Sequence, residues 1–226
     1  MTASVLITGG FGALGTAVAK HLVSAGHRVA CMDLRGERGD QGPGSLDIGG
    51  IDLTDVQAVS GALRSVLDVH GGLDVLVNLA GGFAWQTIEQ GKEQLWSDMF
   101  RCNVLSTVTI TAASLDELKK SRAGRIVNVG AGAALKAAAG MGAYAASKSG
   151  VHRFTEALAE ELAGTQVTVN AILPTIIDTP ANRADMPEAD FSTWVSPQAI
   201  AEVIDFFISD ASRSITGALL HVNRGT

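Results

Sequence analysis

The sequence predicts an α/β fold in which a parallel sheet of about seven strands carries helices on both faces. Three observations point there. Short β-branched or apolar runs alternate along the whole chain with segments whose apolar residues recur at helical spacing. The first such run, Ser4 to Thr8, passes through the glycine-rich turn Gly9 to Gly15 directly into a helical segment. The run Leu73-Asp-Val-Leu-Val-Asn78 is almost continuously apolar, as a strand covered on both faces must be.

Taken in order, Ser4-Val-Leu-Ile-Thr8 is the first strand, and Thr16 to Ala25 is the helix that follows the glycine turn. Gly9, Gly12 and Gly15 leave the backbone N–H groups open to a pyrophosphate, and the helix N-terminus adds its positive dipole end. Arg28 to Asp33 is the second strand. Asp33, about twenty positions after the glycines, is placed to accept hydrogen bonds from the adenosine ribose hydroxyls and to repel a 2′-phosphate. That favours NAD(H), while Arg35 and Arg38 leave NADP(H) open. Gly36 to Gly50 reads as a loop with at most a very short strand at 45–51. Asp52 is a candidate for the adenine amino group, and Thr54 or Asp55 caps a helix from Val56 to Val69.

Leu73 to Asn78 is the next strand, closed by the turn Asn78-Leu-Ala-Gly-Gly82, which offers another close approach of backbone to ligand. A polar loop around Trp85 to Gly91 precedes one long helix, from about Lys92 to Lys120, with Asn103 inside it. Asparagine is a mediocre helix former, so the expectation for Asn103 is a surface position. Gly124 to Val129 is the fifth strand and leads into a glycine- and alanine-rich loop, Gly130 to Gly142. After the helix Gly142 to Leu162 come a sixth strand, Gln166 to Ile172, and a lid-like loop, Leu173 to Val195, punctuated by Pro174, Asp178, Pro180 and Pro187. Ser196-Pro197 caps a helix to about Ser209, and Ala218 to Val222 is the seventh strand.

Composition narrows the function. With 226 residues, 46% hydrophobic and 18% charged, the chain fills one core and leaves little for a second, so residues 1–226 are read as one domain. A net charge of −6 and scattered arginines argue against a nucleic-acid partner. Charged residues or glycines interrupt every apolar run well below the ~18 residues a membrane span needs. The N-terminus carries no basic region or cleavage site. A soluble cytoplasmic protein is the expectation. Cys31 and Cys102 lie in no CxxC or metal-ligand pattern and are expected to be small buried hydrophobes, with no metal site.

The chemistry centres on Tyr144 and Lys148, four apart and so on one helix face. A phenol ionises near ~10 and trades protons at neutral pH only if a neighbouring cation stabilises the phenolate. Lys148 is placed to be that cation. Ala143, Ala145, Ala146, Ser147 and Gly150 around them are small, so another body can come close to the helix start.

These residues resemble the short-chain dehydrogenase/reductase family over essentially the whole chain. Thr8-Gly-Gly-Phe-Gly-Ala-Leu-Gly15 matches its TGxxx[AG]xG loop, Asn78-Leu-Ala-Gly81 its NxAG turn, and Tyr144-Ala-Ala-Ser-Lys148 its YxxxK signature. The resemblance implies a Rossmann-type fold, with Tyr144 as proton donor and Lys148 holding the nicotinamide ribose and lowering the tyrosine's pKa. It makes Asn103 the helix asparagine that supports a water relay. Cofactor contacts are implied at Phe11, Ala13, Leu14, Leu53, Asn78, Ala80 and Gly81, and at Pro174, Thr175, Ile177 and Thr179, with Thr175 where the family usually has glycine. It further implies a small-molecule substrate and a homodimer or homotetramer built on the Asn103 and Tyr144 helices.

One departure stands out: the family's catalytic serine, thirteen residues before the tyrosine, is Ala131. Quinonoid dihydropteridine reductases look like this within the family, and they share a stretch similar to Leu173-Pro…Asp178-Thr-Pro…Asn182-Arg183…Met186-Pro-Glu-Ala-Asp-Phe-Ser-Thr-Trp194. The expected activity is therefore hydride transfer from NADH to a quinonoid acceptor. The alternatives are an ordinary carbonyl reductase or alcohol dehydrogenase on the same scaffold, and a dinucleotide-sensing protein that has lost catalysis.

Overall fold

The computed structural model describes residues 2–36 and 45–223. Seven parallel strands form one sheet in the order β3-β2-β1-β4-β5-β6-β7. They are β1 (Ser4–Thr8), β2 (Arg28–Met32), β3 (Ser45–Ile48), β4 (Val75–Asn78), β5 (Arg125–Val129), β6 (Thr168–Pro174) and β7 (Leu219–Val222). The strand order reverses between β1 and β4, and a crevice opens there beyond the carboxyl ends of the strands.

The helices are α1 (Ala13–Ser24), α2 (Val56–His70), α3 (Glu93–Phe100), α4 (Ser106–Lys120), α5 (Gly142–Glu161), α6 (Pro180–Asp185) and α7 (Pro197–Ile208). Alternate side chains of the strands feed two cores. On one face Val5, Ile7 and Val77 pack against Val18 and Leu22 of α1 and Ile200, Ile204 and Phe207 of α7. On the other, Leu6, Leu76 and Ile126 meet Val59 and Val66 of α2, Ile110 and Leu118 of α4, and Leu158 of α5. Each fully buried aliphatic side chain contributes roughly 1.5–3 kcal/mol of burial, and these two layers hold the crevice walls in place.

Most expected elements are present, with four differences. The first helix begins at Ala13, three residues before the expected Thr16, because Gly12 serves as its N-cap and the turn closes sooner. The single helix expected over 92–120 is broken by a π-helical segment, Arg101–Leu105. Asn103 lies in this segment and is wholly buried, not at the surface, because it shares a helix face with buried Met99, Ser106, Thr107 and Ile110. The sixth strand extends to Pro174, which pairs with Val222 at the sheet's edge-side register, so the lid starts later than Leu173. The lid itself is ordered by α6, by a 3₁₀ turn at Phe191–Thr193 and by a bridge between Ile177 and Val195. Asp55, not Thr54, caps α2, accepting from Gln57 and Ala58 N–H.

Cys31 is buried as expected, but Cys102 is only partly buried and lines the crevice. Arg38 lies outside the described residues. Among the described residues no helix is long and apolar enough to cross a membrane, and no cluster of metal-ligating side chains occurs.

Candidate active site

A cleft of about 890 Å³ occupies the crevice. Gly9, Gly12, Ala13, Leu14, Gly15, Asp33, Asp52, Leu53, Ala80, Gly81 and Thr179 all line it, so eleven of the sequence candidates meet around one cavity. Its phosphate-sized end is built from absence of side chains. Gly9 sits at φ +67, and a Cβ there would lie 2.8 Å from Ala80 N; a Cβ on Gly15 would collide with Gly9 O. Gly12 caps α1 without any side-chain hydrogen bond, so the first N–H groups of the helix stay open to the cleft.

Asp33 is nearly buried at the end of β2. Its Oδ2 accepts from Phe11 N–H at 2.9 Å and its Oδ1 from Arg35 N–H at 3.0 Å, while Arg35 Nη1 donates to Phe11 O at 3.2 Å. The carboxylate therefore ties the glycine turn to β2 as well as facing the cleft. Across from it, Asp52 Oδ1 accepts from both the N–H and the hydroxyl of Thr54, and Oδ2 from Arg101 at 3.0 Å. The Thr54 hydrogen bonds, helped by Arg101, hold the Asp52 carboxyl below the usual carboxylate range.

Two of the predicted contacts turn inward, away from the cleft. The Phe11 ring turns into the α1–α7 core, and only its backbone serves the turn. Asn78 is buried, its Nδ2 donating to Asn128 Oδ1 at 2.9 Å and Thr111 Oγ1 at 3.2 Å. It braces β4, β5 and α4 beneath the turn that presents Ala80 and Gly81.

Lys148 rises under the far side of that turn. It is buried, donates from Nζ to Val129 O at 2.8 Å, and would lie 3.2 Å from a Cβ on Gly81. Asn103 reaches the same turn: its Oδ1 accepts from Gly82 N–H at 2.9 Å, and its Nδ2 donates to Gly82 O at 3.1 Å and to Ser147 Oγ at 2.9 Å. In this geometry its side chain clamps a loop, with both amide hydrogens used. Tyr144, one turn before Lys148 on α5, is half-buried with its ring edge-on to Phe83, centroids 4.9 Å apart.

The expected lowering of the tyrosine's pKa is not found. Burial pushes Tyr144 up to about 12, and burial likewise pushes Lys148 down to about 8. The reason is geometric: the ammonium is turned toward the Val129 carbonyl, and both groups have lost water.

Ala131 is buried, and its N–H donates to His152 Nε2 at 3.3 Å. Burial, with the nearby cations Arg153 and Lys148, lowers His152 to about 4, so it is neutral near pH 7. Pro174 closes β6, and Thr175 and Ile177 follow it. Thr175 N–H donates to Val222 O at 3.1 Å, the Ile177 carbonyl accepts from Asn182 at 2.8 Å, and Thr179 caps α6 by accepting from Asn182 N–H at 3.2 Å.

The sequence reading missed Phe83, Ser147, His152 and Arg101. His152 had a usable signal, since it lies four residues after Lys148 and so on the same helix face. Arg101 and Ser147 had none, because their contacts with Asp52 and Asn103 join segments far apart in sequence.

The family model described as short chain dehydrogenase matches residues 3–190. A 3-oxoacyl-acyl-carrier-protein reductase of Vibrio cholerae is 33% identical, covering 97% of this chain and 95% of that protein. An acetoacetyl-CoA reductase of an Acinetobacter species is 28% identical, covering 97% and 96%. Among solved structures, a short-chain dehydrogenase/reductase from Mycobacterium ulcerans superposes with a TM-score of 0.89 at 26% identity, covering 100% of this chain and 93% of that one. NAD+-bound xylitol dehydrogenase has a TM-score of 0.86 at 24% identity, covering 98% and 97%, a likeness of fold.

Proposed function

The chain belongs to the short-chain dehydrogenase/reductase family of NAD(P)-dependent oxidoreductases, and on that footing we propose that it reduces a quinonoid acceptor of the dihydropterin class, preferring NADH, with Tyr144 as the proton donor. The single observation that carries the choice of acceptor is Ala131. At the position of the family's serine there is no hydroxyl, and the backbone N–H there is already engaged by His152. Tyr144 is then the one side-chain donor left for the acceptor atom on which charge develops. Losing one such donor typically costs a ketone ~10²–10³ in rate. A quinonoid ring spreads the developing charge over several atoms and gains conjugation on reduction, so it depends less on that donor. The stretch from Leu173 to Trp194, similar to that of dihydropteridine reductases, supports the same choice.

The residues fit a dinucleotide: the glycine cradle and open helix end suit a pyrophosphate, and Asp33 suits an unphosphorylated ribose. Asp52 and Leu53 would flank the adenine, Gly81 and Lys148 the nicotinamide ribose, and Pro174, Thr175, Ile177 and Thr179 the nicotinamide itself. The reduced cofactor supplies the hydride. Tyr144, neutral at pH 7, holds the proton to be given up. Lys148 is buried beside the expected ribose, where a bound hydroxyl pair would offer its ammonium acceptors in addition to Val129 O. Asn103 keeps the Gly81-Gly82 turn and Ser147 in register. All of this is assigned to one domain.

A second reading, reduction of a 3-oxoacyl thioester, is favoured by what the relatives are named for. Steady-state turnover of quinonoid dihydropterin, acetoacetyl-CoA and simple ketones, each with NADH and NADPH, separates the two. The expected result is a kcat/KM for the pterin at least ~100-fold above the ketones, with NADH ahead of NADPH. Tyr144→Phe should lower kcat by ~10²–10⁴, and Ala131→Ser should raise ketone reduction more than pterin reduction. Efficient reduction of acetoacetyl-CoA with no turnover of the pterin would replace the first reading by the second.

The proposal includes a homodimer or homotetramer. Trp96, Phe100 and Leu105, on α3 and the π segment, are 44%, 47% and 43% exposed, more apolar surface than a solvated helix face normally carries.

A further inference from the structure

We infer that a second, smaller pocket, at the amino end of β5 and β6, is a binding site for a phosphate-class oxyanion. Arg122, Arg125, Thr168, Asp210 and Arg213 line it, and its volume is about 160 Å³, some five times the roughly 30 Å³ share of a water molecule. Arg125 opens β5 and Thr168 opens β6, and the two are register partners. Because every strand is parallel, this end of the sheet faces away from the nucleotide cleft. β5 alone rises ~13 Å between Arg125 and Val129, whose carbonyl meets Lys148.

Two buried atoms point to a ligand. Arg125 is 3% exposed and Thr168 is 7% exposed, yet Arg125 Nε and Thr168 Oγ1 have no hydrogen-bond partner. Arg125 Nη1 donates to Gly124 O at 2.9 Å and Gln166 O at 3.4 Å, so the guanidinium is anchored while its Nε–H is left unsatisfied. Among the described residues Arg125 makes no ion pair. Asp210 attracts it from a distance, while burial lowers its pKa. Three guanidinium groups against one carboxylate give the walls a net positive charge. An anion with several acceptor oxygens would satisfy the Arg125 edge and the Thr168 hydroxyl together, which folding otherwise leaves unpaired at a cost. Arg122 and Arg213 are exposed at the rim, so the group bound could be free phosphate or the phosphate end of a larger metabolite.

The test uses NADH-saturated protein, so that the probe does not report on the nucleotide cleft. Inorganic phosphate replaces chloride at constant ionic strength, and thermal unfolding and titration calorimetry follow its binding. The expected result is one saturable site per chain and a rise in Tm of about 2–4 °C. Thr168→Val keeps the shape and removes an unsatisfied hydroxyl. Its Tm without phosphate should equal or exceed that of the wild type, while phosphate affinity falls several-fold. Arg213→Gln, at the exposed rim, should weaken binding about tenfold without touching the sheet. Glycerol phosphate binding more tightly than inorganic phosphate would identify an esterified source, and the reverse order a free one. No saturable response, or a response that both substitutions leave unchanged, would overturn the site. That failure is independent of the turnover assay.

Discussion

Lys148 illustrates how much burial costs a single charged residue. Its ordinary pKa is 10.5 and burial lowers it to about 8. Below pH 8 the lysine is protonated in both folded and unfolded chains, and the fold carries the whole penalty, about 3 kcal/mol. Between pH 8 and about 10 the unfolded chain binds more protons than the folded one, so stability rises with pH. Tyr144, raised to about 12, acts oppositely above pH 10, where the unfolded phenol ionises first. Urea unfolding of the unliganded protein across pH 7–10 should therefore show a rise that Lys148→Met removes, and the variant should be the more stable protein at pH 7. A flat profile in the wild type would mean that the ammonium keeps more water than its burial implies.

Asn103 sits in the π segment between α3 and α4, on the buried stripe it shares with Met99, Ser106, Thr107 and Ile110. From there its amide reaches both backbone groups of Gly82 and Ser147. Asn103→Ala would leave those groups buried and unpaired, at about 1–3 kcal/mol for each one that water cannot reach. Its urea midpoint should fall accordingly, and nucleotide affinity should fall with it, because the Gly81-Gly82 turn loses its clamp. Asn103→Asp, which retains the acceptor for Gly82 N–H, should recover part of that loss. A variant with wild-type stability would show that the turn holds itself.

At the scale of the whole molecule, the sheet separates two chemistries. The carboxyl ends of the strands carry the nucleotide cleft, and the amino ends of β5 and β6 carry the arginine pocket. The exposed Trp96, Phe100 and Leu105 lie outside both. Light scattering at micromolar concentration should find a dimer or tetramer, and charged replacements at Trp96 and Phe100 should shift it toward monomer. A monomer in the wild type would leave those side chains to some other partner.

The sequence by itself determined the architecture. Every strand but β3 is an apolar run bounded by turn residues, and local pattern is enough to specify such elements. It also determined the glycine turn and the Tyr144–Lys148 pair, because both depend on residues within one turn or one helix face. The tertiary structure alone decided that the Asn103 amide clamps Gly82, that Asn78 and the Phe11 ring turn inward, and that Arg101 holds Asp52. It alone decided that burial, and not the neighbouring cation, sets the pKa of Tyr144. Those outcomes depend on which distant segments meet and how much water they exclude, and neither quantity is written in local periodicity.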